Sequence, residues 1–309
     1  MTLTQLRYLI AIAESGSISS AANKIYASQS NLSIAMQELE REFGMQIFTR
    51  SNRGVTLTNE GSELLAHARQ VVEQADMLES RFSRNAAPRE RLAVSTQHYA
   101  FSVRAFINVA ESCDSDEYEF IMRETATHEI VADVQTFRSD VGVLYVTDDN
   151  QRVLKKSFTD ASLAFHPLFE AGVHVFVGEG HPLASRTSIA LEDLEEYPRY
   201  SFEQGTNNSF YFSEEPLGQV PHGKNIRVSD RATYTTLLTD FNGYALSTGV
   251  LTPEMQAGIV SIPLESDLVM TVGYLTHEGR VATPLMERYI AELSAVVQAN
   301  ESAVTYVGE

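Results

Sequence analysis

One cysteine, Cys113, stands in 309 residues, which rules out an internal disulfide framework and any multi-cysteine zinc site. No apolar run approaches the ~20 residues that span a bilayer, so no membrane partner is expected. Ala11-Ile12-Ala13 imitates a signal-peptidase site, yet the apolar stretch ahead of it covers only Tyr8–Ile10, against the ~7–15 residues such a segment needs. A cytoplasmic protein is the expectation. Internal repeats and low-complexity tracts are absent. Positive charge is short as well: 23 Lys+Arg against 41 Asp+Glu give a formal −18, which by itself discourages a nucleic-acid partner.

What is present is globular: 43% hydrophobic and 21% charged residues, in a chain too long for one ordinary core, so two or three domains are expected. The charge is unevenly placed. Residues 1–91 carry ten basic and ten acidic side chains, leaving 13 basic and 31 acidic, the whole −18, to residues 92–309. A protein that met DNA through its first segment would have to hold its acidic remainder away from the phosphates.

The first 84 residues read as helix almost throughout. Leu6, Leu9, Ile10 and Ala13 recur at helical spacing up to Ser15-Gly16-Ser17. A short helix capped by Ser19 then carries Ala21, Ala22 and Ile25, and after Ala27-Ser28 a third runs from Gln29 to Phe43, where Gly44 stops it. Its inward stripe is Leu32, Ala35, Met36, Leu39 and Phe43. Two extended pieces, Gln46–Arg50 and Gly54–Thr58, join through the turn residues Ser51-Asn52-Arg53-Gly54. From Asn59, Leu64, Ala68, Val71, Ala75, Leu78 and Phe82 follow a heptad spacing that suits a dimer seam, although a helix lying on its own core would share it.

Asn85-Ala86-Ala87-Pro88 is a hinge, beyond which strand-like and helical runs alternate: Arg91–Thr96, Phe101–Ala110, Glu119–Arg123, Glu129–Arg138, Val141–Val146, Gly172–Val177, Ile226–Val228, Tyr234–Phe241, Tyr244–Ser247, Val269–Leu275 and Pro284–Ala299. Such alternation predicts parallel sheets covered by helices.

Ser19–Gly44 has the anatomy of a helix-turn-helix, with Ser30, Ile34, Gln37 and Arg41 on the outer face of its third helix, flanked by Ser33 and Glu38. Small and amide side chains there could approach base edges, and the helix N-terminus behind Ser28 could meet a phosphate. A polar helix face can equally be merely solvated. The enzyme alternative is weak: Cys113 lies in an acidic run, a poor setting for a nucleophile, and His166 and His174 bracket Glu170 without a ligand spacing. Gly178-Glu179-Gly180-His181 completes no phosphate-binding motif, and neither a cofactor nor a metal is expected.

Leu6-Arg7-Tyr8-Leu9, Ser15-Gly16-Ser17, Ala21-Ala22, Ser28-Gln29-Ser30, Leu39-Glu40-Arg41-Glu42-Phe43-Gly44, Ile47-Phe48-Thr49-Arg50, Arg53-Gly54-Val55-Thr56-Leu57-Thr58 and Glu60-Gly61 together resemble the LysR-type transcriptional regulators, in register over sixty residues. The resemblance implies a winged helix-turn-helix (1–58), a dimerising linker helix and hinge (59–87), and a two-lobed α/β effector domain like a periplasmic binding protein (88–309; one lobe about 88–163 and 269–309, the other about 164–268). It implies a homodimer or homotetramer on an A·T-leaning inverted repeat, a small-molecule effector, and RNA polymerase as a further partner. DNA-contact candidates are Ser28, Gln29, Ser30, Asn31, Ser33, Ile34 and Gln37, with Arg50 and Arg53 in the wing, where an arginine can enter a narrow minor groove. Asn31 stands where the family usually has alanine, and Ile34 where it often has arginine or lysine, so one cationic contact is lost and a thymine methyl contact becomes available.

For the effector, loops beyond parallel strand ends are the expected site, giving Thr96, Gln97, Thr125, Phe202 and Thr248 as candidates. No lysine or arginine is evident at those strand ends. Phe101, Phe202, Phe210, Tyr211 and Phe212 suggest an apolar or aromatic ligand, neutral or monoanionic. The competing expectation is a solute-binding module whose N-terminal helices are only structural.

Overall fold

The computed structural model describes residues 1–51, 54–81, 90–205, 209–252, 257–299 and 304–306. The chain forms two compact units, Met1–Pro88 and Arg89–Glu309.

In the first unit, helix α1 (Leu3–Ser15) opens with a capping box: the Gln5 backbone N–H donates to Thr2 Oγ1 (3.2 Å) and the Thr2 N–H to Gln5 Oε1 (2.9 Å). It closes at Gly16, whose φ of 62° is left-handed. Helix α2 (Ile18–Lys24) is capped by Ser17, which accepts from the Ser20 N–H. Ser19, the expected cap, already lies in the first turn. Helix α3 spans Gln29–Phe43 between the Ser28 cap and a left-handed Gly44. Leu6, Leu9, Ile12, Ala21, Leu32, Met36 and Leu39 bury almost completely where the three helices meet. Ile10, Ala13 and Ala35 are only half-buried at its edge, and Phe43, in the last turn of α3, is exposed.

Strands β1 (Phe48–Ser51) and β2 (Gly54–Leu57) form the hairpin. Glu40 sets its start: one carboxylate oxygen accepts from the Ile47 (2.8 Å) and Phe48 (3.2 Å) N–H groups. Its far strand docks on the α1–α2 turn, where the Val55 N–H donates to the Gly16 carbonyl (2.9 Å); a Cβ at Gly54 would land on that same carbonyl. Thr58 then caps helix α4 (Asn59–Arg81) by accepting from the Gly61 N–H (2.9 Å).

The first part of α4 corrects the expected seam. Ala68 is buried in the core of its own unit, and Leu64, Leu65 and Val72 pack against that core. Arg7 on α1 ties the helix down further along through Asp76 (2.6 Å). A 3.6-residue stripe turned toward α1 accounts for the early apolar positions. Val71 (44% exposed) and Leu78 (60%) remain outward, Ala75 is half-buried, and Phe82 lies outside the described residues.

The second unit contains, in order, β3 (Glu90–Thr96), α5 (Ala100–Glu111), β4 (Tyr118–Glu124), α6 (Thr127–Gln135), β5 (Val141–Val146), α7 (Gln151–Asp160), β6 (Leu163–Gly172), β7 (His174–Gly178), β8 (Arg199–Phe202), β9 (Asn225–Val228), α8 (Arg231–Asp240), β10 (Ala245–Ser247), β11 (Ile259–Pro263), β12 (Val269–His277), α9 (Pro284–Gln298) and β13 (Val304–Tyr306). One lobe is built on the sheet β13-β6-β12-β5-β3-β4, the other on β10-β7-β11 and the pair β8-β9. The chain crosses at Val173 and returns between Pro263 and Val269.

Two expectations fail here. The sheets are mixed: β3 pairs parallel with β4 and β5, and β8 with β9, but β12 runs antiparallel to β5 and β6, and β7 to both neighbours. The lobe boundary also moves from 164 to 173, because β6 belongs to the first sheet. His166-Pro167 disguised that strand. Proline cannot donate to a ladder, and here it sits beside the register shift at Val272/Gly273, where a bulge tolerates it.

Replacing Glu40 with alanine should strand two partly buried N–H groups at the start of the wing and cost the first unit about 1–3 kcal/mol. Calorimetric or urea unfolding of the full chain checks this. An unchanged transition would show that water satisfies both groups.

Candidate functional sites

The outer face of α3 is built over a buried stripe. With Leu32, Met36 and Leu39 turned inward, helical spacing leaves Gln29, Ser30, Asn31, Ile34 and Gln37 exposed and Ser33 half-buried on one side. Ser28 precedes them, its Oγ accepting from the Asn31 N–H (3.2 Å) and lying 3.1 Å from Ser30 Oγ. The helix therefore begins with a short polar edge and a positive dipole end. Arg50 lies in β1 and Arg53 falls outside the described residues. Tyr26, absent from the sequence reading, stands at the α2–α3 turn with φ of 53° and 98% exposure. Its signal was available in principle: an aromatic between two helices, with no stripe to join.

In the second unit a cavity of about 40 Å³ lies between the lobes, lined by Gln97, His98, Tyr99 and Phe101 from one side and by Phe176, Phe202, Glu214, Glu215, Arg231 and Tyr234 from the other. Of the five expected effector residues, Gln97 and Phe202 line it. Gln97 makes three hydrogen bonds: its Nε2 donates to Thr127 Oγ1 (2.7 Å), and its Oε1 accepts from the Tyr99 hydroxyl (3.0 Å) and the Tyr145 N–H (3.2 Å). It positions the wall. Thr96 and Thr248 are buried and do not line the cavity, and the Thr96 hydroxyl has no hydrogen-bond partner among the described residues. Thr125 bonds the Glu129 carboxylate and does not line the cavity.

The charged lining was not foreseen. Arg231 reaches the cavity and holds Glu124 across the lobes, with Nε 3.2 Å from Oε2. It was missed because the helix was expected to begin near Tyr234. Asp230 instead caps it by accepting from the Thr233 N–H (2.8 Å), which puts Arg231 in the first turn. Glu214 and Glu215 are 7% and 5% exposed. Glu215 accepts from the Phe202 N–H (2.8 Å) and the Ser213 hydroxyl (3.3 Å); burial, and then the neighbouring Glu214, push its pKa from 4.5 up to about 8. Burial likewise holds Tyr99, Tyr145 and Tyr234 well above the usual phenol range. Of the expected aromatic wall, Phe101 and Phe202 are present, whereas Phe210, Tyr211 and Phe212 do not reach this cavity. Phe202 stacks on His98 (3.7 Å) and on Tyr234 (4.5 Å).

Residues 3–62 match the bacterial regulatory helix-turn-helix protein family of lysR type, and residues 116–298 match the LysR substrate binding domain. The chain belongs to the LysR family of transcriptional regulators. It is 29% identical over 231 residues to the uncharacterized HTH-type transcriptional regulator YvbU of Bacillus subtilis, covering 72% of this chain and 73% of that one. To the Escherichia coli regulator YbhD, also described as uncharacterized, it is 25% identical over 299 residues, covering 94% and 90%. Among solved structures, a Corynebacterium glutamicum OxyR C206 mutant shares the fold, with a TM-score of 0.55 at 21% identity over 96% of this chain and 93% of that one. As a LysR-type regulator the protein joins a DNA-binding helix-turn-helix to an effector-binding domain and acts on transcription under the control of a small molecule.

The raised Glu215 value fixes a pH dependence. Between 4.5 and about 8 the folded protein keeps a proton that the unfolded chain releases, so stability falls as pH rises across that window. Scanning calorimetry from about pH 5 to about pH 8 should show Glu215→Gln removing part of this decline from the transition of the second unit. Parallel curves for the two proteins would mean that Glu215 ionises normally.

Proposed function

We propose that this regulator reads an A·T-leaning inverted repeat as a homo-oligomer, α3 of each copy entering a major groove. The observation that carries the reading is the exposed polar face of α3 with its Ser28-capped start. Gln29, Ser33 and Gln37 meet base edges, Ile34 lies against a thymine methyl, and Ser28, Ser30 and Asn31 approach the backbone near the helix N-terminus. Arg50 and Arg53 serve the wing. Tyr26 joins them as a phosphate contact through its hydroxyl. The outward Val71 and Leu78 of α4, with the half-buried Ala75 and with Phe82, form the dimer seam, shortened by the loss of Leu64 and Ala68 to the chain's own core. RNA polymerase at the target promoter is the further partner, the setting is the cytoplasm, and the protein binds rather than catalyses.

Five basic residues in 1–58 give modest non-specific affinity, so occupancy depends on pairing two half-sites. Gln29→Ala and Gln37→Ala should each cost about 1–3 kcal/mol on the cognate repeat and little on unrelated duplex. Equal loss on both DNAs would remove them from base reading. Val71→Asp with Leu78→Asp should abolish paired half-site binding while the calorimetric transition of the second unit is retained. Cooperative binding by that double variant would place the seam elsewhere.

Tyr26→Gly separates the two roles of that residue. It relieves a left-handed backbone and should leave or raise stability while weakening DNA binding several-fold. A stabler protein with unaltered affinity would remove Tyr26 from the interface.

A further inference from the structure

The cleft contains a carboxylate receptor that is already filled by the chain itself. Glu214 Oε2 accepts from the His98 backbone N–H (3.0 Å) and faces His98 Nδ1 (2.7 Å), while its Oε1 accepts from Gln204 Nε2 (3.0 Å). With Glu214 ionised, Nδ1 must carry the proton, which sets the ring's tautomer. His98 follows β3 in the first lobe and Gln204 follows β8 in the second, so the three donors converge from both lobes on one carboxylate. Further bonds hold the arrangement: the Thr127 N–H donates to Gln204 Oε1 (3.3 Å), and the Tyr145 hydroxyl to the Ser213 carbonyl (3.0 Å) beside Glu214.

We propose that Glu214 is a tethered ligand, which closes the two lobes on each other by occupying this receptor, and that free small monocarboxylates enter the cleft by taking its place. The proposal rests on the effector-cleft reading and adds to it a ligand class and a competitor. A single carboxylate fits because the donors end there. Arg231 is committed to Glu124, and Glu215 presents a second acid beside the site, so a dicarboxylate would meet a carboxyl group instead of a cation. The ligand is small because the cavity offers only about 40 Å³ and both neighbours of the Phe202 ring are stacked against it. A short tether keeps an attached group at millimolar or higher effective concentration, so a free acid must exceed that level or gain contacts that Glu214 lacks.

The test is chemical rescue in the full-length protein. Glu214→Ala empties the receptor but keeps its donors, and it should lower the melting temperature of the second unit. Sodium acetate should restore it, with half-effect at about tenfold or more below the concentration needed for any shift in the unaltered protein. Sodium chloride and acetamide at matched concentrations should not. Glu214→Gln, whose amide still fills the space, should be destabilised and refractory to acetate. Acetate shifting the unaltered protein and Glu214→Ala alike, or restoring neither, would overturn the proposal. If Glu214→Ala does not fold even with acetate, Glu214→Gln decides: melting equal to the unaltered protein would refute a carboxylate-specific receptor. DNA binding measured on the same samples keeps the two readings apart. Rescue of melting with no change at the operator would leave the tethered ligand standing and remove effector control through this cleft.

Discussion

Taking a carboxylate out of water costs several kcal/mol unless donors replace its hydration shell, and this acidic chain depends on making that replacement repeatedly. Glu40 gathers two backbone N–H groups and thereby fixes where the wing begins. Asp140, almost fully buried, accepts from the Ala93 N–H (2.6 Å) and pairs with Arg91 and Arg280, so it ties β3 to the start of β5 and to the loop after β12. Asp133 takes the Ser95 hydroxyl (2.6 Å) and Arg138 (3.0 Å), holding α6 against β3. These two aspartates anchor β3, and the end of β3 is where Gln97 and His98 turn into the cleft. Glu214 then closes the same series across the lobes.

The uneven charge follows from the same chemistry. Carboxylates in the second unit serve as internal acceptors and as surface charge, neither of which needs a cation in excess. The helix-turn-helix unit stays balanced, and the exposed start of α3 holds amides, hydroxyls and one isoleucine, with the opposite charges of Glu38 and Arg41 following further along. Such groups discriminate between base edges, whereas arginines and lysines would chiefly add sequence-independent attraction. On the proposed reading, a face of this kind sacrifices non-specific affinity for a larger share of readout.

Legibility in the sequence tracked how local each signal was. Ser28, Gln29–Phe43 and Gly44 were readable because cap, periodicity and stop all lie within one helix. The Ser17 cap was misassigned by two residues because Ser17, Ser19 and Ser20 are chemically alike and only backbone angles separate them. The seam on α4 was overextended because a heptad and a 3.6-residue stripe diverge slowly, and Leu64 and Ala68 satisfy both until the position of α1 is known. Strand β6 was hidden by Pro167, whose tolerance depends on a bulge that shows only once β6 is paired with a strand about a hundred residues away. Gln97 and Phe202 followed from the rule for strand ends, but Arg231, Glu214 and His98 required knowing which loops face each other.

Within the cleft, those long-range pairings decide what a ligand can do. A ligand shifts a two-state element only by the difference in its affinity for the two states. Here the reference state is already liganded from within, by Glu214 and Arg231 of the second lobe, which reach His98 and Glu124 of the first. An incoming molecule therefore gains nothing by repeating the three hydrogen bonds that Glu214 makes, since it loses as many as it forms. Its differential affinity must come from where it departs from a glutamate side chain, in the size of its body or in its contacts with the His98, Phe202 and Tyr234 rings. Two carboxyl groups side by side at Glu214 and Glu215 sharpen that condition, because any charge the ligand adds must be met by the proton Glu215 retains up to about pH 8. Selectivity in such a site comes less from attracting the right charge than from removing, with a better-shaped group, a charge the protein supplied itself.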